Sequence, residues 1–233
     1  MSGSIRLFVP DPLSAGAAIA PSPAQVHYLG AVMRRGLGDP VLLFNGRDGE
    51  WRARIAAIRR DKAVLEVVEQ ARQQVGGPDL WLAFAPLKRD ATELVVQKAT
   101  ELGVSAILPV LTERTNTQRL NLDRLRAIAM EAAEQCERLD VPELRAPVPL
   151  AALVSAWPSG RALFVALERA DARWPRGHDG PAGLLIGPEG GFSPRDHDLL
   201  LIEEKSTPVS LGPNILRAET AAIVGLALLQ ARG

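Results

Sequence analysis

Beyond residue 80, strongly apolar segments alternate with segments that favour helices, and this alternation restricts the fold more than any other feature of the sequence. Residues 80–85 are apolar without interruption, as expected of a strand that is buried on both faces. Further segments of this kind lie at 106–111, 162–167, 183–186 and 209–211. We therefore predict an α/β domain in which helices cover a mostly parallel sheet.

The helix boundaries of this region are indicated by capping residues. Asp90 followed by Glu93 resembles a capping box, and Gly103 stops the predicted helix. Asn121 is a candidate N-cap for a helix to about Leu139, and Ser193-Pro194 opens a helix to about Glu204. The chain ends with a predicted helix over residues 218–230.

The first 72 residues have a different pattern, with short predicted strands at 5–9, 41–45 and 63–68. Ser22-Pro23 begins a predicted helix to about Arg34. Trp51, Ala53 and Ile55 alternate with Glu50, Arg52 and Arg54, so one face of that strand is expected to be buried. Short strands with tight turns predict a small β-barrel or curled sheet. Residues 73–79 resemble a linker, which gives expected domains of 1–72 and 73–233.

Composition excludes several classes of protein. Cys136 is the single cysteine, so no disulfide forms within the chain, and the three histidines have no zinc-site spacing. No apolar run is long enough to span a membrane, and the first residues do not resemble a signal peptide, so we expect a cytoplasmic protein. The net charge is zero, but residues 1–72 carry ten Lys and Arg against seven Asp and Glu. This local excess weakly favours contact of the N-terminal part with a polyanion.

Two Gly-Pro loops are the main candidates for a ligand site. Gly187-Pro188 and Gly212-Pro213 each follow a predicted strand of the same sheet and precede a helix. Glycine lets a backbone approach a ligand closely, and ligands of open α/β sheets bind at the carboxyl ends of strands. Neither loop has the G-x-G-x-x-G pattern of dinucleotide sites or the Gly-Lys-Ser/Thr of phosphate loops. A plain strand-to-helix turn remains an alternative for each loop alone, whereas the pair favours a shared pocket.

Extended matches to one family support this interpretation. Ile186-Gly-Pro-Glu-Gly-Gly-Phe192 and Leu211-Gly-Pro-Asn-Ile-Leu-Arg-Ala-Glu-Thr220 resemble the two signature loops of the RsmE family of SPOUT methyltransferases. The segments 97–103, 112–115 and 131–138 are similar to further family motifs, and residues 6–9, 27–34 and 44–46 resemble its PUA-like RNA-binding barrel. Asn214 and Glu137 depart from the family, whose members often have a basic residue and a glycine at these positions.

The resemblance implies a C-terminal SPOUT α/β domain with a trefoil knot, a homodimer, and S-adenosylmethionine as cofactor. Backbone groups of the two loops are expected to hold adenine and ribose, with apolar side chains against the ring. The cofactor-binding residues that it implies are Leu167, Gly187, Pro188, Glu189, Gly190, Gly191, Leu211, Gly212, Ile215, Leu216 and Thr220.

The expected reaction is methylation of uridine N3 in 16S ribosomal RNA, with the small-subunit RNA or the assembled small subunit as partner. The N3 proton must leave, so a cation that holds the developing anion or a general base is needed. Arg217 and Arg138 are candidates for the cation, and Glu134 or Glu219 for the base. Each candidate also has a simpler interpretation. Arg217 is solvated, and Glu219 or Thr220 caps a helix. Glu134 and Arg138 form an ordinary i,i+4 pair.

The RNA-binding candidates are Arg6, His27, Arg34, Arg35 and Lys88, although Arg34-Arg35 also suits a solvated helix end. No metal site is expected. Three other functions stay open: a SPOUT enzyme that acts on another RNA such as transfer RNA, a non-catalytic RNA-binding assembly factor, and a small-molecule enzyme with a nucleotide cofactor. The last lacks the required motifs.

Overall fold

The computed structural model describes residues 5–116, 119–167, 172, 177–201 and 206–231. Two compact units are present. The N-terminal unit contains the chain up to Gly76 together with Ala133–Val141, and the C-terminal unit contains Gly77–Ala132 and the chain from Pro142 onwards. The expected limits of 1–72 and 73–233 remain a prediction, and this grouping differs from them in assigning residues 73–76 and 133–141 to the N-terminal unit.

The N-terminal unit is built on a five-stranded sheet of order β1-β3-β4-β5-β2. Its β1 and β3 are parallel and its other neighbours are antiparallel, with bulges between β4 and β5. The elements are β1 (Arg6–Phe8), β2 (Ala18–Ile19), α1 (Pro23–His27), β3 (Pro40–Phe44), β4 (Glu50–Arg59) and β5 (Lys62–Arg72).

Helix α1 shows how local sequence sets this architecture. Ser22 and Gln25 form a reciprocal capping box with Pro23 at the first turn, and a π-helical turn over Tyr28–Val32 completes the helical segment. In β4, Ala53 and Ile55 point into the core while Arg52 and Arg54 are exposed, as the alternation predicts. Leu7, Leu29, Leu43 and Leu65 lie in the same core.

The C-terminal unit contains a parallel sheet of order β12-β10-β11-β6-β7-β8, and β9 pairs with β7 beside this path. The strands are β6 (Leu80–Phe84), β7 (Ala106–Leu111), β8 (Glu143–Leu144), β9 (Val148–Pro149), β10 (Ala162–Ala166), β11 (Ala182–Ile186) and β12 (Thr207–Val209). The helices are α2 (Arg89–Glu101), α3 (Leu122–Gln135), α4 (Leu150–Ser155), α5 (Pro194–Leu201) and α6 (Ala218–Gln230). The last three residues of α3 are grouped with the N-terminal unit. The predicted α/β class with a mostly parallel sheet is confirmed.

Two helix starts agree with their predicted caps and one does not. The Asn121 carboxamide accepts a hydrogen bond from the Arg124 amide, and Ser193 and Asp196 cap α5 reciprocally. The prediction that Asp90 caps α2 is wrong, because the N-cap residue is Lys88, two residues earlier, and no side chain caps the helix.

Helix α3 ends at Gln135, four residues before the predicted Leu139. The reason lies two residues further on, where Glu137 has φ of +61°. This left-handed conformation is costly for a residue with a Cβ and is where glycine is favoured. A glycine, which the resemblance implies for this position, would adopt the conformation without strain.

The order of the sheet brings three loops together. Strands β12, β10 and β11 are neighbours and parallel, so the loops that follow them leave the same edge of the sheet. The trefoil knot remains a prediction, because the path through residues 168–171 and 173–176 lies outside the described part of the chain. Within the described residues, no helix is long and apolar enough to cross a membrane.

Candidate functional site

A cleft of about 840 Å³ opens at the carboxyl ends of β10, β11 and β12. We call it the Gly-Pro cleft, because most of its lining comes from the two Gly-Pro loops. It is lined by Arg114, Ala166, Leu167, the segment 186–192, His197, the segment 210–218 and Ala221. A cleft of this size is typical of sites for small molecules and cofactors.

The first Gly-Pro loop, residues 187–192, is a tight turn closed by a hydrogen bond from the Gly191 amide to the Pro188 carbonyl, 2.8 Å long. Gly191 has φ of +67°, which favours glycine at this position. Gly187 lies against the ring of Phe192, where a Cβ would come within 3.1 Å of a ring carbon. The turn therefore favours glycine at Gly191, and a side chain at Gly187 would require the Phe192 ring to shift.

The second Gly-Pro loop, residues 210–217, presents apolar side chains and backbone to the cleft. Gly212 has φ of +120°, a conformation that side chains rarely adopt. Ile215 is 56% exposed although it is a large hydrophobic residue, and Leu216 lies beside it in the lining. An exposed isoleucine at the wall of a cleft suits contact with a planar apolar ligand surface.

Arg114 lines the cleft from the loop after β7 and was not among the predicted site residues. Its Nη1 donates to the carbonyls of Gly190 at 2.7 Å and Phe192 at 3.3 Å. The available signal was its place in the segment 112–115, which follows a strand of the same sheet and resembles a family motif. The sequence gives no indication of its partners, which are 76 and 78 residues away.

Arg217 is the N-cap residue of α6 and lies in the cleft lining. Its side chain is exposed, and its guanidinium makes no hydrogen bond or ion pair with any residue that the structure describes. Glu219 lies in the first turn of the same helix without lining the cleft. Arg217 therefore offers an uncommitted positive charge to a ligand, as the predicted anion-holding role requires.

The structure brings together ten of the eleven residues predicted to bind the cofactor. Thr220 is the exception, because it is exposed on α6 and is absent from the lining. The ten that line the cleft are Leu167, Gly187, Pro188, Glu189, Gly190, Gly191, Leu211, Gly212, Ile215 and Leu216. Asn214, one of the two positions at which the resemblance breaks down, also lines the cleft.

Arg6, a predicted RNA contact, is buried in the N-terminal unit and does not suit that role. Its Nε donates to Glu50 at 2.6 Å, and its other nitrogens donate to the carbonyls of Ala133, Glu134 and Arg138. The guanidinium also stacks over the Phe44 ring, 4.5 Å from the centroid. With these donors committed, Arg6 ties residues 133–138 to the sheet of this unit.

Glu50 is the partner of Arg6, and together with Arg72 these residues form what we call the buried centre. The alternation along β4 predicted an exposed side chain at Glu50. It is buried and accepts hydrogen bonds from both Arg6 and Arg72. Burial acts to raise the pKa of Glu50, but the hydrogen bonds and charges of Arg72 and Arg6 outweigh it, and the pKa lies below its ordinary value. A buried carboxylate with two arginine partners stays ionised.

Glu134 and Arg138, the other predicted catalytic residues, belong to the N-terminal unit and are not part of the cleft lining. The Glu134 carboxylate accepts from the Phe8 amide at 2.9 Å, and Arg138 pairs with Asp140 at 3.0 Å. Both side chains thus have structural partners within their own unit, and their catalytic role remains a prediction.

The remaining RNA-binding candidates are distributed over both units. His27 and Arg34 are exposed, and Arg34 has φ of +53°. Arg35 is half-buried, and its Nε has no hydrogen-bond partner among the described residues. Lys88 is exposed in the C-terminal unit, at the start of α2. The described residues include no group of three or more His, Cys, Asp or Glu that could hold a metal ion.

Comparison with known proteins agrees with this arrangement of a small β unit and a parallel-sheet unit. The family model for the RNA methyltransferase domain matches residues 76–230, and the model for the RNA methyltransferase PUA domain matches residues 22–68. Ribosomal RNA small subunit methyltransferase E of Rickettsia conorii is 32% identical over 214 residues, which cover 89% of this chain and 87% of the relative.

Two solved structures are similar over nearly the whole chain. A putative methyltransferase from Legionella pneumophila in complex with bound S-adenosylmethionine has a TM-score of 0.86 and 32% identity, covering 97% of this chain and 96% of that one. Ribosomal RNA small subunit methyltransferase E from Neisseria gonorrhoeae bound to S-adenosylmethionine has a TM-score of 0.85, 26% identity and the same coverage. The chain therefore belongs to the RNA methyltransferase family that includes ribosomal RNA small subunit methyltransferase E.

Proposed function

We propose that the chain transfers the methyl group of S-adenosylmethionine to N3 of a uridine in the 16S RNA of the small ribosomal subunit. The observation that carries this proposal is the Gly-Pro cleft at the carboxyl ends of neighbouring strands. Two loops line it, and the second ends in Arg217, whose guanidinium has no partner among the described residues. Family membership supports the cofactor, since two similar structures contain S-adenosylmethionine, and it supports the RNA substrate, since relatives are named ribosomal RNA small subunit methyltransferase E.

The residues of the cleft suit this cofactor. Gly187 and Gly212 lie where a side chain would be crowded or strained, and backbone groups of their loops are the proposed hydrogen-bond partners of adenine and ribose. Ile215 and Leu216 supply an apolar wall for the adenine ring. Leu167 and Glu189 complete the lining on the side of β10 and the first Gly-Pro loop.

When bound, the cofactor supplies an electrophilic methyl group, so the protein contributes mainly position and electrostatics. Loss of the N3 proton leaves negative charge on the uracil ring. Arg217 stabilises that charge from the start of α6, because its guanidinium is exposed to the cleft and is not held by the described residues. Glu134 and Glu219 stay the predicted candidates for the base, although neither belongs to the lining of the cleft.

We propose further that the protein acts as a homodimer in the cytoplasm, with small-subunit RNA or the assembled small subunit as its partner. His27, Arg34 and Arg35 are the proposed phosphate contacts of the N-terminal unit, and Lys88 that of the C-terminal unit. The net excess of basic residues in the first 72 residues supports phosphate contact by the N-terminal unit.

The test is to incubate the protein with S-adenosylmethionine and small ribosomal subunits that lack base methylation, and to analyse the nucleosides of the digested RNA by mass spectrometry. We expect 3-methyluridine to appear and to depend on the cofactor. Cofactor binding without a methylated nucleoside would direct the search to another RNA such as transfer RNA. Absence of cofactor binding would favour a non-catalytic RNA-binding assembly factor.

A further inference from the structure

The loop after β7 is connected to the first Gly-Pro loop and the start of α5 at two points. Arg114 donates to the carbonyls of Gly190 and Phe192, and Glu113 pairs with Arg195 at 3.4 Å. The first connection reaches the cleft, whereas the second lies at the surface, where the Arg195 side chain is 87% exposed.

A tight turn fixes the direction in which Arg114 points. The Thr112 amide donates to the Thr115 hydroxyl at 2.9 Å, the two hydroxyls are 3.0 Å apart, and the Thr115 amide donates to the Thr112 carbonyl. These bonds close the four-residue segment 112–115 on itself. Arg114 therefore projects from a closed turn rather than from a flexible loop.

The contact also includes packing. A Cβ at Gly190 would lie 3.6 Å from Cδ of Arg114, so the aliphatic stem runs along this glycine while Nη1 reaches the carbonyls on either side of Gly191. One guanidinium nitrogen with two hydrogens can serve two carbonyls at once. A lysine ammonium also has enough N–H donors for two carbonyls, but it stands on a flexible stem that is not pre-organised, so it can replace the contact only in part.

We propose that Arg114 is a positioning residue that holds the first Gly-Pro loop in its ligand-binding conformation. It acts on cofactor affinity through the loop, because the carbonyls that it holds flank Gly191 in the segment that lines the cleft. This inference rests on the proposed function for the identity of the ligand, but the connection between the loops is independent of it.

The experiment compares Arg114→Ala, Arg114→Lys and the control Arg195→Ala with the unaltered protein. Titration calorimetry would measure Kd for S-adenosylhomocysteine and for methylthioadenosine, which lacks the amino-acid part. Loss of charged hydrogen bonds predicts roughly 10- to 100-fold weaker binding of both ligands to Arg114→Ala. Arg114→Lys should recover part of this loss, and Arg195→Ala should stay within about 2-fold, as an exposed pair contributes little.

Two further measurements separate positioning from other roles. Amide hydrogen exchange of residues 187–192 in the ligand-free protein should become faster in Arg114→Ala but not in Arg195→Ala. Methylation should show a raised KM for S-adenosylmethionine with kcat nearly unchanged. Unaltered exchange in a folded Arg114→Ala would overturn the proposal, and so would weaker binding of S-adenosylhomocysteine alone, which indicates direct contact with the amino-acid part. If the unaltered protein binds neither ligand, the proposed function fails, while the exchange result still tests the loop connection.

Discussion

Arg6 in the N-terminal unit and Arg217 in the C-terminal unit carry the same guanidinium group in opposite surroundings. The Arg6 side chain is 5% exposed, pairs with Glu50 and donates to three backbone carbonyls. Arg217 is exposed at the start of α6 and makes no side-chain contact of this kind with the described residues. An arginine with four of its five N–H donors bound within its unit stabilises that unit, whereas one whose donors are open is available to a ligand.

The largest expected effect on stability follows from removing Arg6, the buried arginine of the two. Arg6→Ala leaves Glu50 with one partner and strips three carbonyls of a donor, so we expect the free energy of unfolding to fall by about 3–5 kcal/mol. Urea denaturation followed by circular dichroism would measure it. Arg52→Ala is the matched control, because the Arg52 pair with Glu69 is exposed and contributes less than about 1 kcal/mol. Equal losses for the two variants would show that the buried centre is not structural.

The second effect concerns the open arginine. Arg217→Ala should lower the single-turnover rate of methylation roughly 10²- to 10³-fold, because the developing anion loses its cation. The free energy of unfolding should stay within about 0.5 kcal/mol of the unaltered protein, as for other exposed sites. Arg126→Ala on α3 serves as control, since that exposed arginine pairs with Asp123 and does not line the cleft. A normal rate for Arg217→Ala would remove Arg217 from the mechanism.

The buried centre should also depend on pH, in a direction fixed by Glu50. Its folded-state pKa is lowered, so its contribution to stability is present above the unfolded-state pKa and is lost as the pH falls through the folded-state pKa. We expect the unfolding free energies of the unaltered protein and Glu50→Gln to differ most near neutral pH. The difference should shrink from about pH 5 downwards. A difference that does not change with pH would contradict the ionised state of Glu50.

The smallest effect comes from the backbone beside this centre. Glu137→Gly removes the strain of a positive φ in the folded state, but it raises the conformational entropy of the unfolded chain. The two effects oppose each other, so we expect a gain in stability between zero and about 1 kcal/mol. Glu131→Gly is the control, because the same change within α3 should cost about 1 kcal/mol. Thermal unfolding of the two variants measures both. A loss for Glu137→Gly comparable with that of Glu131→Gly would show that φ is not strained.

Features that depend on local sequence were predictable. The periodic apolar segments place the main strands of both units within a few residues, and α6 begins and ends where predicted. The short elements β2, β8, β9 and α4 were not predicted, because segments of two to six residues are defined mainly by their neighbours in space. The early end of α3 depends on one dihedral angle that no residue type in the segment signals.

The residues of the site also divide into those that local sequence identifies and those whose roles depend on distant contacts. Each Gly-Pro loop is one continuous segment, so its residues could be named from the sequence. The residues of both loops lie together in the cleft. Arg6 is predicted to contact RNA because residues 6–9 resemble part of the PUA-like barrel, and its burial could not be foreseen, since the carbonyls that it holds lie 127 to 132 residues away. Arg114 was not named for the same reason, since its role depends on carbonyls of a distant loop.

The most direct test of the account is calorimetric titration of S-adenosylmethionine into the unaltered protein, Ile215→Asp and Leu201→Asp. Both positions are exposed hydrophobic residues of the C-terminal unit, 56% and 49% exposed, but Ile215 lines the Gly-Pro cleft and Leu201 does not. We predict saturable binding to the unaltered protein and to Leu201→Asp, with at least 10-fold weaker binding to Ile215→Asp, since a carboxylate replaces the apolar wall (roughly 1.4 kcal/mol or more). Equal affinities for all three proteins, or no binding by the folded unaltered protein, would contradict the assignment of the cleft.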